Sequence, residues 1–97
     1  AIAIHNHCLQ YGIQLWCGGM IEFGISKAHN IALSSLSGFT IPGDISSSAR
    51  FWEEDIIEPR IVVANGQVKV PNGLGIGYEI QKKIIRKLQT HKETFII

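Results

Sequence analysis

The sequence predicts an α/β fold in which short strands pair in parallel. Three observations carry that expectation. Helical apolar spacing occurs near the start and again from Gly24; each such stretch leads into a short apolar run of strand length; and glycines mark the changes between them.

Ile2, Ile4, Cys8, Leu9 and Tyr11 form a helical apolar face ending at Gly12, a residue suited to the left-handed position that closes a helix. Ile13-Gln14-Leu15-Trp16-Cys17 is a run of large side chains bounded by Gly12 and by Gly18-Gly19, the pattern of a buried strand. Ile25, Ala28, Ile31, Ala32 and Leu36 recur at helical spacing, so a second helix is expected from Gly24 to Leu36, closed by serines and Gly38. Phe39-Thr40-Ile41 then gives a short strand before Pro42-Gly43.

After Asp44 the organisation changes, because Ser46-Ser47-Ser48 and Glu53-Glu54-Asp55 carry no periodic apolar face. Arg60-Ile61-Val62-Val63-Ala64 and Gln67-Val68-Lys69-Val70-Pro71 flank Asn65-Gly66, a dipeptide that favours the tight type I′ turn of a hairpin. A glycine-rich connection, Asn72-Gly73-Leu74-Gly75-Ile76-Gly77, leads into a last helix whose apolar stripe is Ile80, Ile84, Ile85 and Leu88.

The chain has 97 residues, 45% of them hydrophobic, which allows one core of modest size. Nine Lys plus Arg stand against eight Asp plus Glu, a net charge of +1, so neither nucleic acid nor an anionic membrane is an expected partner. Lys82, Lys83, Arg86, Lys87 and Lys92 do gather near the end, where they suit the solvated face of a helix. No run approaches the ~18 apolar residues of a membrane span, and no secretory signal opens the chain, so a cytoplasmic protein with free thiols at Cys8 and Cys17 is expected. Because Ala1-Ile2-Ala3-Ile4 enters a helical pattern with no N-cap cluster, the chain is expected to be a piece of a longer one.

His5-Asn6-His7-Cys8 holds metal-ligand residue types, but on a helix only His5 and Cys8 share a face, and no second ligand pair follows. His29 and His91 stand alone, as surface or packed histidines. Neither Gly18-Gly19 nor Gly75-x-Gly77 completes a dinucleotide or Walker pattern, and Cys17 has no neighbouring base that would make it a nucleophile. Trp16-Cys17-Gly18-Gly19-Met20-Ile21-Glu22 differs from all of these. A strand gives way to two glycines, which let backbone approach a ligand, and then to apolar side chains and one carboxylate. In a parallel α/β fold the carboxyl end of a strand is where ligands bind. The alternative is a tight turn with Met20 and Ile21 in ordinary core.

That run, with Gly24-Ile25, Ala28-His29-Asn30-Ile31-Ala32-Leu33, Phe39-Thr40-Ile41-Pro42-Gly43-Asp44-Ile45, Arg50-Phe51-Trp52, Pro71 and Gly75-Ile76-Gly77, resembles the C-terminal part of the o-succinylbenzoate synthase and N-acylamino acid racemase family of the enolase superfamily. The resemblance spans nearly the whole chain in order. It implies a (β/α)7β barrel with an α+β capping domain, residues 1–52 supplying the last barrel strands and a helix and residues 53–97 the cap's hairpin and terminal helix.

By that resemblance the parent enzyme abstracts a proton α to a carboxylate, with Mg2+ or another divalent ion stabilising the enediolate. The base and the metal ligands would lie before Ala1, leaving no catalytic or metal residue in this segment apart from a possible polar contribution from Glu22. Gly18, Gly19, Met20, Ile21, Glu22 and Phe51 would bind substrate, and Asp44 would line the pocket or cap a turn. Phe23 departs from the family, whose members usually have a small residue there. The implied reaction is dehydration of 2-succinyl-6-hydroxy-2,4-cyclohexadiene-1-carboxylate to o-succinylbenzoate in menaquinone synthesis, with racemisation of N-acylated or N-succinylated amino acids as the alternative. The partners implied are a small carboxylate substrate, the N-terminal part of the same enzyme and, when complete, further copies of itself. A typical barrel needs about 250 residues, so the 97-residue chain alone is expected to be inactive. It would then act as a structural fragment, unless it is an independent α/β binding module.

Overall fold

A computed structural model describes all residues, 1–97, with the order α1 (Ile2–Gln10), α2 (Gly24–Ser34), a 3-10 turn (Ser48–Arg50), β1 (Ile57–Glu58), β2 (Val63–Ala64), β3 (Gln67–Val68), β4 (Glu79–Ile80) and α3 (Lys82–Leu88). Helix α1 closes as expected. Gly12 takes φ +64°, and the amides of Gly12 and Ile13 donate back to the carbonyls of Leu9 and Cys8 at 3.3 and 2.8 Å, the double return that a left-handed residue after a helix permits. Helix α2 ends at Ser34, and residues 35–38 form turns, so it is shorter than the spacing of Leu36 suggested.

The two expected strands are corrected. Residues 13–17 and 39–44 form no regular ladder, and Ile41 lies at a bend. Leu15 N–H donates to Gly38 O at 3.2 Å, Ile41 N–H to Leu15 O at 3.2 Å and Asp44 N–H to Cys17 O at 2.8 Å, a parallel alignment broken by extra residues in the second segment. Because strand backbone groups alternate in direction, those of Gln14 and Trp16 face the other edge, where this chain supplies no partner. Burial follows the same division: Cys17 is buried and Leu15 half-buried, while Ile13 and Trp16 are exposed.

The Asn65-Gly66 hairpin is present, and both turn residues have positive φ, +51° and +72°, as a type I′ turn requires. Its ladder is short, Val63 opposite Val68 and Ala64 opposite Gln67. A second pairing had no local signal: β1 runs antiparallel to β4, Ile57 opposite Ile80 and Glu58 opposite Glu79. The core is the trio Ile31, Ile57 and Ile61, joined by Ile25, Ile45, Ile56, Val68 and Tyr78, and so lies where α2 meets the β1 to β4 region. Helix α3 buries none of its residues.

The chain is a slab of 45 × 41 × 24 Å. Its radius of gyration, 15.6 Å, exceeds the ~12–13 Å of a compact domain of this length, and Ile2, Ile4, Met20, Ile21, Leu74 and Phe95 are among the large apolar side chains left exposed.

Candidate functional site

Two features sit on either side of residues 46–52. The first is a cleft of about 260 Å³ lined by Gly19, Met20, Ile21, Asp44, Ser46, Arg50 and Phe51. Parallel alignment of the segments ending at Cys17 and Asp44 brings the Gly18-Gly19 turn against the Pro42-Gly43-Asp44 turn. The approach is so close that a Cβ on Gly19 would lie 1.8 Å from the Asp44 carbonyl oxygen. Glycine at 19 is therefore a steric requirement. Met20 and Ile21 are 78% and 70% exposed, so neither enters the core of this chain. Phe51, 39% exposed, enters from the 3-10 turn, and its ring carries Lys27 Nζ at 5.3 Å and Arg50 Cζ at 5.6 Å from its centroid. Complete ligand sites run to roughly 300–1,000 Å³, so a space of this size takes one part of a ligand.

The cleft unites Gly19, Met20, Ile21 and Phe51, four of the six residues expected to bind substrate, with Asp44 as a fifth candidate. It does not include Gly18, which packs near the Trp16 ring, or Glu22. The Glu22 carboxylate instead accepts from Ser26 Oγ at 3.0 Å and Asn30 Nδ2 at 2.9 Å along one face of α2, while its carbonyl accepts from Trp52 Nε1 at 2.8 Å. Phe23 finds its place here: its ring stacks on Trp52 with centroids 4.1 Å apart.

The second feature is a buried polar knot centred on Asp55, which is 4% exposed. Asp55 Oδ1 accepts the amides of Gly24 at 2.8 Å and Ile56 at 2.7 Å, and its Oδ2 accepts the Ser48 hydroxyl. Ser48 Oγ in turn accepts the Ile61 amide at 3.1 Å. Phe23, at the N-cap position of α2, offers no side-chain acceptor, so Asp55 caps that helix from 31 residues downstream. Lys27, 2% exposed, donates to the Ser47 carbonyl at 3.3 Å. Burial holds the Lys27 ammonium below its ordinary pKa of 10.5, against the opposing pull of Asp55 and Glu22.

Lys27, Ser48 and Asp55 carry no site signal in the sequence, and Arg50 enters there only through the Arg50-Phe51-Trp52 run, without a site role. The burial of Lys27 could have been foreseen, since it shares a helical face with Gly24, Ala28 and Ile31, all buried. His5 proves to be a packed histidine: it is 7% exposed, and its Nε2 accepts the Gly38 amide at 3.0 Å. No group of three or more His, Cys, Asp or Glu side chains converges to hold an ion, so the residues of this chain do not by themselves fit a divalent metal. No helix is long and apolar enough to cross a membrane, and both cysteines are free and buried.

Comparison with known proteins places this arrangement. Residues 1–84 match the enolase C-terminal domain-like family. The chain belongs to that family. It is 50% identical over 95 residues to the o-succinylbenzoate synthase of Bacillus subtilis, covering 98% of this chain and 26% of that protein. It is 42% identical over 88 residues to the N-succinylamino acid racemase of Thermus thermophilus, covering 91% and 24%. The structure of an enolase-superfamily member from Listeria innocua superposes with a TM-score of 0.84 at 45% identity, covering 90% of this chain and 24% of that one. The chain therefore spans about a quarter of the length of the relatives it matches, and its α/β class agrees with theirs.

Proposed function

We propose that this chain forms one wall of the active site of an o-succinylbenzoate synthase, a lyase that dehydrates 2-succinyl-6-hydroxy-2,4-cyclohexadiene-1-carboxylate by removing a proton α to its carboxylate. The observation that carries the reading is the cleft: Gly19, Met20, Ile21 and Phe51 converge at the ends of two parallel segments, with apolar side chains exposed rather than buried. Residues 1–52 would complete the barrel and residues 53–97 would contribute to its cap. The base and the Mg2+ ligands would come from the preceding part of the enzyme. Packing against that part gives Ile13, Trp16 and the open edge at Gln14 and Trp16 their cover. The site is that of a cytoplasmic enzyme of menaquinone synthesis, assembled from copies of one chain.

N-succinylamino acid racemisation is the second reading. It is favoured by the 42% and 45% identity to the racemases of Thermus thermophilus and an Amycolatopsis species, values close to those for several of the synthases. Both reactions begin with the same proton abstraction.

The full-length enzyme with Mg2+ is assayed for o-succinylbenzoate formation by absorbance and for loss of optical rotation of an N-succinylamino acid, beside the 97-residue chain alone. Turnover by the full-length protein only is expected. Absence of both activities from a folded full-length protein would sink the proposal.

A further inference from the structure

Arg50 is the only cation lining the cleft. Its side chain makes no hydrogen bond or ion pair in the chain, in contrast with Arg60, which donates to the Glu53 carbonyl, and Lys87, which pairs with Glu54. What holds it is the Phe51 ring, with Cζ 5.6 Å from the centroid, inside the ~6 Å range of cation–π attraction. A guanidinium resting on an aromatic ring keeps its N–H fork free for a planar acceptor, and the match to a carboxylate is bidentate.

Charge is divided across the cleft. Asp44 stands at the glycine end, its Cγ 3.7 Å from where a Gly19 Cβ would be, and Arg50 stands at the Phe51 end without being paired to it. Lys27, buried beneath, adds a second positive group against the same ring, at 5.3 Å. An anionic group entering the cleft is repelled at one end and drawn to the other, while Met20, Ile21 and Phe51 cover the carbon chain that carries it.

We infer that Arg50 binds a second carboxylate of the substrate, at the end of an aliphatic arm remote from the reacting carbon, and so selects dicarboxylates over substrates with a neutral arm. The inference rests on the function proposed above, in which the reacting carboxylate is held elsewhere. It adds that the part of the ligand lodged here is its succinyl end.

The test uses the full-length enzyme with Mg2+ and two ligands, o-succinylbenzoate and 2-butyrylbenzoate, in which a methyl group replaces the arm's carboxyl. Calorimetry gives their affinities for wild type, Arg50→Gln and Arg50→Lys. Arg50 is exposed and outside the core, and thermal melts confirm that the variants fold. The expected result is that wild type prefers the diacid by about tenfold or more, the size of one charge-assisted hydrogen-bonded pair. Arg50→Gln abolishes the preference by weakening the diacid alone, and Arg50→Lys keeps part of it, since a point charge replaces a fork. An equal loss for both ligands, or no loss for either, overturns the inference while dehydratase turnover by wild type leaves the proposed function standing. Absence of turnover and of binding in wild type removes both.

Discussion

Residues 46–52 send Ser46, Arg50 and Phe51 to the cleft and Ser47 and Ser48 to the knot around Asp55, and the two sides differ in how their atoms are satisfied. In the knot, the acceptors of Asp55 and the hydroxyl of Ser48 find donors inside the chain, and burial is nearly complete. In the cleft, Met20 and Ile21 face solvent and Arg50 has no acceptor. The lesson is a division of labour along a few residues: side chains satisfied by the chain itself hold the fold, and those left unsatisfied await something from outside it.

The largest test of that division is Asp55→Ala. It strands the Gly24 and Ile56 amides and the Ser48 hydroxyl and leaves Lys27 less compensated, so the full-length enzyme is expected to lose about 3–5 kcal/mol in urea unfolding. A loss within about 0.5 kcal/mol, the range of an ordinary surface substitution, would break the comparison on the knot side. Gly19→Ala comes next. The clash with the Asp44 carbonyl forces the two turns apart, with an expected stability cost of about 1–3 kcal/mol and a rise in KM of about tenfold or more from misplaced walls. If KM holds while stability falls, Gly19 serves the fold alone and the comparison breaks on the cleft side.

Lys27→Met sharpens the line between the two. Because burial lowers the native pKa of Lys27 below 10.5, the unfolded chain binds more protons between the native value and 10.5. Wild-type stability is therefore expected to rise with pH across that window relative to the methionine variant, and to show no such difference below it. Tyr78, whose hydroxyl is pushed up from 10.0 by burial, acts in the opposite sense at alkaline pH but is common to both proteins and cancels. Parallel stability curves for the two proteins would mean that Lys27 is better solvated than its burial implies. The smallest effect is expected for Lys87→Ala. The Lys87–Glu54 pair lowers the Glu54 pKa, so it adds stability above the ordinary carboxylate range that is lost as pH falls. Both groups are well exposed, and unfolding midpoints at physiological salt should coincide with wild type.

Much of the fold could be read from residues that act locally. Gly12 closes α1 because a left-handed residue is needed there, and Asn65-Gly66 turns the hairpin because both positions require positive φ. The cleft was legible in part for a similar reason, since two glycines before Met20 and Ile21 announce a close approach of backbone. What escaped were features whose cause lies far along the chain. The strand character of residues 13–17 depends on neighbours at both edges, and this chain offers one. The pairing of Ile57 with Ile80 joins segments with no shared local pattern. Asp55 sits in a run of acidic residues that looks like solvated loop, and only its distant partners reveal it as a cap.

The carboxylate that starts α2 comes from beyond residue 52, the point at which barrel and cap contributions would divide. In the shuffling of homologous segments, that point is then not a neutral crossover. A chimera joined there inherits a helix whose first amide has an acceptor only if the incoming segment brings an aspartate to the same place. One carboxyl group thereby makes two parts of the chain heritable as one.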